Sequence, residues 1–574
     1  MIGIFQIGSG PEEAREILKR GLHSLPDQDV FAYPDRGFYC APERKEDPAP
    51  REVALEDGTY VCALNGQIWN IKELGRNYND SPPPETLLAR LYRDRGPDFV
   101  LDLNGSFSLF IFRPETGTLF LSRDALGEKT LYYAEHGGGI AFASRMNSLL
   151  ALGLIPRECE YRSLLKYLSY SYVPDENTLA RGVKKLLPGE YLLFQNGKSQ
   201  RRLYYEPRES DADNPDMTRS AATLRELLEV SIADRLGGLR SPGVFLSGGL
   251  DSSLVTALLA RGLPERSLKT FSVSFGPELP NELYYSDMVA RHCKTDHRVI
   301  EIRPRGFVRE LPEIIYDMDE PAGDPITVPN YILAREATGT TDGIFNGEGG
   351  DPLFGGPKNI PMILSALYSR DSETYYLRSY RKMYEDLPFL AAEFSREDDE
   401  ALKSPLRPFF ADAHTESFLH KLMRMNTMLK GGRNILVKVA HAYESFGLPH
   451  LSPLFDRRIV DYAFGLPPDY KLRGRTEKYV LKKAVEDLLP SELVWREKLG
   501  MMAPVNFWFR DDLKSYARRR LSPRRLKKHG FFRADYVKKL LNYEREGERS
   551  GNYGTRIWML LYFQIWFERV ILNE

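Results

Sequence analysis

Two glycine-bearing loops hold the residues with the most chemical content. The first, Gly243-Val244-Phe245-Leu246-Ser247-Gly248-Gly249-Leu250-Asp251-Ser252-Ser253, runs from an apolar stretch through glycines into a segment whose Leu254, Leu258 and Leu259 recur at helical spacing. That order describes a strand, a tight turn and a helix N-terminus, where backbone N–H groups and the helix dipole favour a polyphosphate. Glycine lets the backbone approach the anion closely, and Asp251 offers oxygen ligands to Mg²⁺. The second loop, Asn346-Gly347-Glu348-Gly349-Gly350-Asp351-Pro352-Leu353-Phe354-Gly355-Gly356, directly follows the apolar run Gly343–Phe345. Two carboxylates among glycines at a strand end exceed what a simple turn needs. Asp351 and Asp251, from neighbouring strand ends, are expected to hold Mg²⁺ jointly on a triphosphate and neutralise departing pyrophosphate. Glu348 would then lie near the nucleotide and could take a proton from an attacking amine. The first loop lacks the Gly-Lys-Ser/Thr ending of a Walker loop, which counts against a kinase or GTPase.

The elements that must position these loops alternate from Pro242 onward. Strands are expected at Gly243–Leu246, Thr270–Phe275, Arg298–Ile302 and Gly343–Phe345, with helices after the first, near Glu282–His292 and at Phe307–Asp317. The alternation predicts an α/β fold with a doubly wound parallel sheet and ligands at the carboxyl ends of the strands. Beyond about residue 360 helices dominate. Residues 206–218 are polar with two prolines and read as a linker, with Thr218 as cap of a helix carrying Leu224, Leu227, Leu228, Ile232 and Leu236. Residues 1–150 mix short strands (Thr59–Leu64, Gly105–Arg113, Thr118–Arg123) with helices (Glu12–Leu22, Glu85–Asp94), an α+β layered pattern.

Composition excludes several classes. A formal net charge of −1 gives no global field for nucleic acid or an anionic membrane, so neither is an expected partner. The 4 cysteines (Cys40, Cys62, Cys159, Cys293) form no Cys-x-x-Cys pair, against a zinc ribbon or disulfide framework. Cys40 and Cys62 read as small buried apolar residues. No secretion signal or membrane-length apolar run is visible, which makes the cytoplasm the default compartment. The basic run Arg518–Lys528 reads as a solvated helix face, with an acidic or phosphate-bearing peptide partner as the other reading.

Several strings carry a resemblance. Ser247–Ser253 resembles the PP-loop of ATP pyrophosphatases, which cleave ATP between the α and β phosphates. Asn346–Gly356 is similar to the Gly-Glu-Gly-Ser/Gly-Asp-Glu-Leu-Phe-Gly-Gly segment of asparagine synthetases, except at Pro352 and Pro357. Asp319-Glu320-Pro321-Ala322-Gly323-Asp324-Pro325, Phe271–Phe275 and Arg496-Glu497-Lys498-Leu499-Gly500 also match that family. The resemblance implies a C-terminal PP-loop ATP pyrophosphatase (adenine nucleotide α-hydrolase-like) domain over 219–574. It implies nucleotide contacts at Leu246, Ser247, Gly248, Gly249, Asp251, Ser252, Val273, Asn346 and Gly347, and substrate contacts at Glu320 and Asp324. Lys498 would stabilise charge on the pentacoordinate phosphate and then the oxyanion. The Glu-x-Arg of the family is replaced by Pro449-His450-Leu451, which puts aspartate as acceptor in doubt; His450 itself reads as structural.

The first five residues, Ala63–Asn70 and Arg123–Tyr133 resemble the class II glutamine amidotransferase domain of the same family, an Ntn-hydrolase-like fold expected over 1–205. There the second residue is a cysteine nucleophile; here it is Ile2, and a branched hydrocarbon cannot attack glutamine. The carboxylate expected two residues before Glu85 is Pro83, and the His-Arg-Gly-Pro segment is absent. Asn65 and Gly66, the family's oxyanion hole, survive as part of a degenerate site.

The implied activity is an AMP-forming carbon–nitrogen ligase using ATP and Mg²⁺. A carboxylate of a small molecule or peptide is activated as an acyl-adenylate and captured by an amine or ammonia, without its own glutaminase. Relatives lacking the cysteine include β-lactam-forming synthetases, which carry a tyrosine at the position of Glu348, and lasso-peptide macrolactam synthetases. The latter would bring a precursor peptide or leader-binding partner; a homodimer is also compatible. The readings from other classes are a non-catalytic ATP-binding pseudoenzyme and a tRNA thiolation enzyme. The missing cysteine pair and near-neutral charge oppose the latter.

Overall fold

Short, largely apolar runs in the first third of the chain build two six-stranded antiparallel sheets. The computed structural model describes all residues except 9, 23–29, 45–46, 79–81, 211–215, 265–266, 280, 358, 367, 369–370, 380–381, 498–499, 501 and 544–551. Met1–Glu160 with Asp175–Glu206 forms one unit, and Tyr161–Pro174 with Pro207–Glu574 the other. Most of the expected linker core, 211–215, lies outside the described residues.

In the first unit one sheet orders its strands as Lys184–Lys185, Tyr132–His136, Gly139–Ala143, Ile2–Phe5, Phe38–Ala41 and Phe31–Tyr33. The other runs Lys198–Leu203, Glu190–Gln195, Thr118–Arg123, Gly105–Arg113, Gly58–Ile68 and Arg51–Leu55. Their inner faces share a core of Phe5, Phe38, Ala63, Phe110, Phe112 and Phe142, with Phe38 stacked on Phe112 at 4.1 Å. The opposite face of the second sheet buries Cys62, Leu64 and Leu109 against Leu87, Leu88 and Leu91 of the helix Pro84–Arg95. The period of two thus sorts residues 61–64 alternately into two cores. This is the α+β layering the sequence implies. Cys40 and Cys62 sit fully buried in these cores, as small apolar residues do.

The second unit contains five parallel strands in the order Asp296–Glu301, Lys269–Ser274, Pro242–Phe245, Gly343–Phe345 and His450–Leu451. In chain order that is 3-2-1-4-5, so the direction of winding reverses between Pro242–Phe245 and Gly343–Phe345. Ligands bind at such a switch point, beyond the carboxyl ends of the strands. The fifth strand was not foreseen: two residues behind Pro449 offer no periodicity to read. The helix expected at Phe307–Asp317 is two short helices, Pro304–Phe307 and Leu311–Asp317, each with proline in its first turn. The helix Met217–Leu236 is capped by Asp216, whose carboxylate accepts from the Arg219 N–H at 2.9 Å, and not by Thr218, which lies inside the first turn.

Glu209, just after the unit boundary, accepts from the N–H of Glu416 (2.8 Å) and from His420 Nδ1 (2.6 Å); His420 Nε2 in turn faces Lys471 Nζ at 2.6 Å. In the basic run, Arg520 and Arg525 converge on the buried Glu568. Part of that run therefore packs the C-terminal helix, in place of a wholly solvated face. Among the described residues no helix is long and apolar enough to cross a membrane.

Candidate active site

The loop Ser247–Ser253 is held by its own serines. Ser252 Oγ accepts from the Ser247 N–H (3.1 Å) and lies 3.0 Å from Ser247 Oγ, and Ser247 Oγ accepts from the Gly249 N–H (3.2 Å). The helix Leu250–Arg261 begins there, its N-terminal N–H groups at the switch point. Gly248 turns the chain at φ +80°.

The second loop crosses that helix N-terminus so closely that glycine is required. A Cβ on Gly347 would stand 2.3 Å from the Ser252 nitrogen, and one on Gly350 would stand 2.1 Å from Oδ1 of Asp251. Asn346 shapes the crossing: its Nδ2 donates to Ser452 Oγ (3.0 Å), and its Oδ1 accepts from the Glu348 N–H (3.0 Å). Glu348 lies near the buried Tyr443, whose hydroxyl is pushed up by burial and then by that carboxylate. The Tyr443 ring contacts the buried His450 at 6.0 Å.

Asp251 and Asp351 are brought together, and a residue unnoticed in the sequence joins them. Lys478 Nζ lies 2.6 Å from Asp251 Oδ2 and 2.6 Å from Asp351 Oδ1. Lys478 is buried and left-handed (φ 56°), and its N–H donates to the Phe354 carbonyl at 3.0 Å. Burial disfavours its ammonium, but the two carboxylates more than offset this and hold it charged above the ordinary lysine range. A lone lysine ahead of a short helix carries no sequence signal; only the fold reveals it. Lys498 lies outside the described residues. Its neighbour Arg496 donates to the Gly248 carbonyl (2.9 Å), pairs with Glu282 and stacks over Tyr285 at 4.1 Å, tying this segment to the first loop.

Beside the loops lies a cavity of about 680 Å³ whose walls include Leu246, Ser247, Ser272, Val273 and Asp324. Asp251, Asp351, Glu348, Asn346 and Gly347 are not on those walls but border the same switch point. Burial alone would raise the Asp324 carboxyl, yet Lys438 at 2.5 Å and Lys382 hold it well below the usual carboxylate range. Glu320 follows Asp319, a buried residue at φ 64°, and is half-buried outside the cavity walls.

In the first unit Ile2 is fully buried, paired with Ala41 and Ala143. Asn65 Nδ2 donates to Ser144 Oγ at 3.2 Å, and Gly66, at φ +116°, passes against the Ser106 carbonyl. The Met1 amine donates to Glu43 (2.8 Å) and to Ser144 Oγ (3.0 Å).

Residues 223–568 match the asparagine synthase family and residues 48–205 the glutamine amidotransferase domain. Asparagine synthetase (glutamine-hydrolyzing) 1 of Bacillus subtilis is 25% identical, covering 98% of this chain and 96% of its own length. A putative asparagine synthetase (glutamine-hydrolyzing) of Mycobacterium bovis is 28% identical over 88% of this chain and 84% of its own. Asparagine synthetase B (glutamine-hydrolyzing) of Escherichia coli is 25% identical over 92% and 86%. With more than half of its residues matched, and the matched span containing both loops and Lys478, the chain belongs to the asparagine synthase family.

Proposed function

We propose that the protein is an ATP-dependent amide-bond-forming ligase that activates a carboxylate as an acyl-adenylate. The observation that carries this reading is the pairing of Asp251 and Asp351 around Lys478, beyond the strand ends, next to a cavity walled by Leu246, Ser247 and Val273. A substrate carboxylate oxygen attacks the α-phosphorus, the bond to the bridging oxygen of the β-phosphate breaks, and pyrophosphate leaves. An amine then attacks the acyl carbon, the bond to AMP breaks, and Glu348 accepts the amine proton. Lys478 keeps a positive charge at the triphosphate end of the loop, the place where negative charge builds up.

The residues present suit Mg²⁺. Asp251 Oδ1 is buried without a hydrogen-bond partner among the described residues, and two carboxylates completed by phosphate oxygens are a donor set for this ion. When bound, Mg²⁺ would neutralise the leaving pyrophosphate, with Asp251 and Asp351 as its protein ligands.

Ile2 offers no nucleophile, so the nitrogen enters as free ammonia or as an amine. Capture by an amine of the same substrate, as in macrolactam synthetases, is the second reading, favoured by the degenerate amidotransferase site. The test is carboxylate-dependent exchange of labelled pyrophosphate into ATP. It should appear with a substrate carboxylate and vanish in Asp351→Ala. Tight ATP binding without exchange, across amino acids and peptides, would return the protein to a binding module.

A further inference from the structure

The cavity beside the two loops carries polar side chains that the fold itself does not use. Between the helices Phe418–Arg424 and Leu436–Glu444 the chain runs as a π-helix, Met425–Ile435. π-Helical turns are rare and concentrate at functional sites. Asn434, in the last turn of this one, lines the cavity and is 7% exposed. Its side chain forms no hydrogen bond among the described residues. Ser171 lines the same cavity at 4% exposure, and its hydroxyl likewise forms none among them. Ser171 is also held at φ 71°, a left-handed conformation that costs a non-glycine residue free energy and persists where the surroundings impose it. Buried polar atoms left unpaired weaken the fold, so two on one cavity wall call for a ligand.

Both are tied to one corner of the cavity. Arg433 Nη1, from the residue before Asn434, donates to the Pro174 carbonyl at 2.6 Å, three residues beyond Ser171. The Ser171 carbonyl accepts from the Gly323 N–H at 2.7 Å, and Lys438, four residues after Asn434, holds Asp324 at 2.5 Å. The chemistry at this corner is neutral and two-sided. The Asn434 side chain accepts through its carbonyl and donates through its NH₂, and the Ser171 hydroxyl does either. A carboxylate only accepts and would leave that carbonyl unpaired; an ammonium only donates and would leave the NH₂ unpaired. A free amino acid brings both functions as full charges, which neutral partners do not compensate once water is excluded. A secondary amide donates and accepts without charge. The lining residues Met502 and Phe507 are 81% and 57% exposed, so a chain continuing from that amide has a way out to solvent.

We propose that Asn434 and Ser171 bind an uncharged amide of the acceptor, and that the carboxylate activated is one flanked by amides, as in an acidic residue within a peptide. This rests on the ligase reading: the amide is held at the π-helix while the carboxylate is presented to the α-phosphate.

N-acetyl-L-aspartic acid α-methylamide and L-aspartate serve as probes, titrated calorimetrically into the full chain saturated with Mg²⁺ and α,β-methylene-ATP. The diamide should bind at least about tenfold tighter. Asn434→Leu and Ser171→Gly should each weaken it about tenfold, while nucleotide affinity stays within about twofold. Leucine is close to asparagine in shape, and glycine adopts φ 71° freely, so both variants should fold. An unpaired buried amide costs stability, so Asn434→Leu without ligand should melt at or above the wild-type temperature. A lower melting temperature would make Asn434 a structural residue and overturn the inference. Equal or tighter binding of L-aspartate overturns it too and leaves the ligase reading standing. So does a folded variant that binds the diamide as the wild type does, or binding of neither probe to nucleotide-loaded protein. Failure to bind the nucleotide analogue overturns both.

Discussion

Lys478 places its ammonium 2.6 Å from Oδ2 of Asp251, a residue 227 positions earlier in the chain, and 2.6 Å from Asp351 as well. One cation therefore holds two like charges together at the switch point. Lys478→Met should lower ATP–pyrophosphate exchange by about 10²–10³ while nucleotide binding persists. The loss of stability on unfolding in urea should be smaller than the roughly 3–5 kcal/mol of a fully buried pair. Of the two carboxylates that are left, Asp351 is 45% exposed and solvated by water, while Asp251, at 14%, bears most of the cost.

Gly350→Ala should act on the metal requirement. The new Cβ falls 2.1 Å from Asp251 Oδ1 and 2.2 Å from its Cγ, so the carboxylate must leave its place beside Lys478. Exchange at limiting Mg²⁺ should fall about tenfold and recover as Mg²⁺ is raised. A Mg²⁺ titration of both proteins reads this directly; an unchanged curve would remove Asp251 from the ligand set.

Glutamine should not be hydrolysed. Ile2 is buried between Ala41 and Ala143, and Asn65, expected from the resemblance as an oxyanion donor, is bonded to Ser144. Glutamate release by the wild type should equal that of Ile2→Ala at every glutamine concentration, in a coupled glutamate dehydrogenase assay. Any excess in the wild type counts against the degenerate site.

Stability should depend on pH through Lys471. Burial pulls its ammonium down to about 7. The unfolded chain then binds the extra proton between pH 7 and the ordinary lysine value of about 10, so stability rises with pH across that window and is lost as pH falls toward 7. Wild-type denaturation midpoints should climb from pH 7 to 9, and Lys471→Met should flatten the climb.

The sequence disclosed the parts of the site that are local. Ser247–Ser253 and Asn346–Gly356 each announce themselves, because glycine and carboxylate have to occur together within a few residues to make such loops. The strands at Gly105–Arg113 and Thr118–Arg123 were readable because their apolar residues run together, Leu109–Phe112 and Leu119–Leu121, with polar turn residues between them. What escaped was non-local. Lys478 matters through two partners distant in sequence, and nothing around it marks that. His450–Leu451 is a strand because Gly343–Phe345 offers an edge, not through any preference of its own. The π-helix is not distinguishable in the sequence, because Met425–Ile435 carries an amphipathic pattern that suits an ordinary α-helix as well.

The 3-2-1-4-5 strand order also governs when the site comes into being. Its two central strands lie about a hundred residues apart in the chain, and Lys478 arrives more than a hundred residues later still. Pairings of such long range form late, after the loop-closure entropy has been met. A chain emerging from the ribosome thus displays the serine–glycine loop well before the charges that complete it exist. Recovery of nucleotide affinity during refolding should lag the recovery of helical signal, and the lag measures the closure of the sheet.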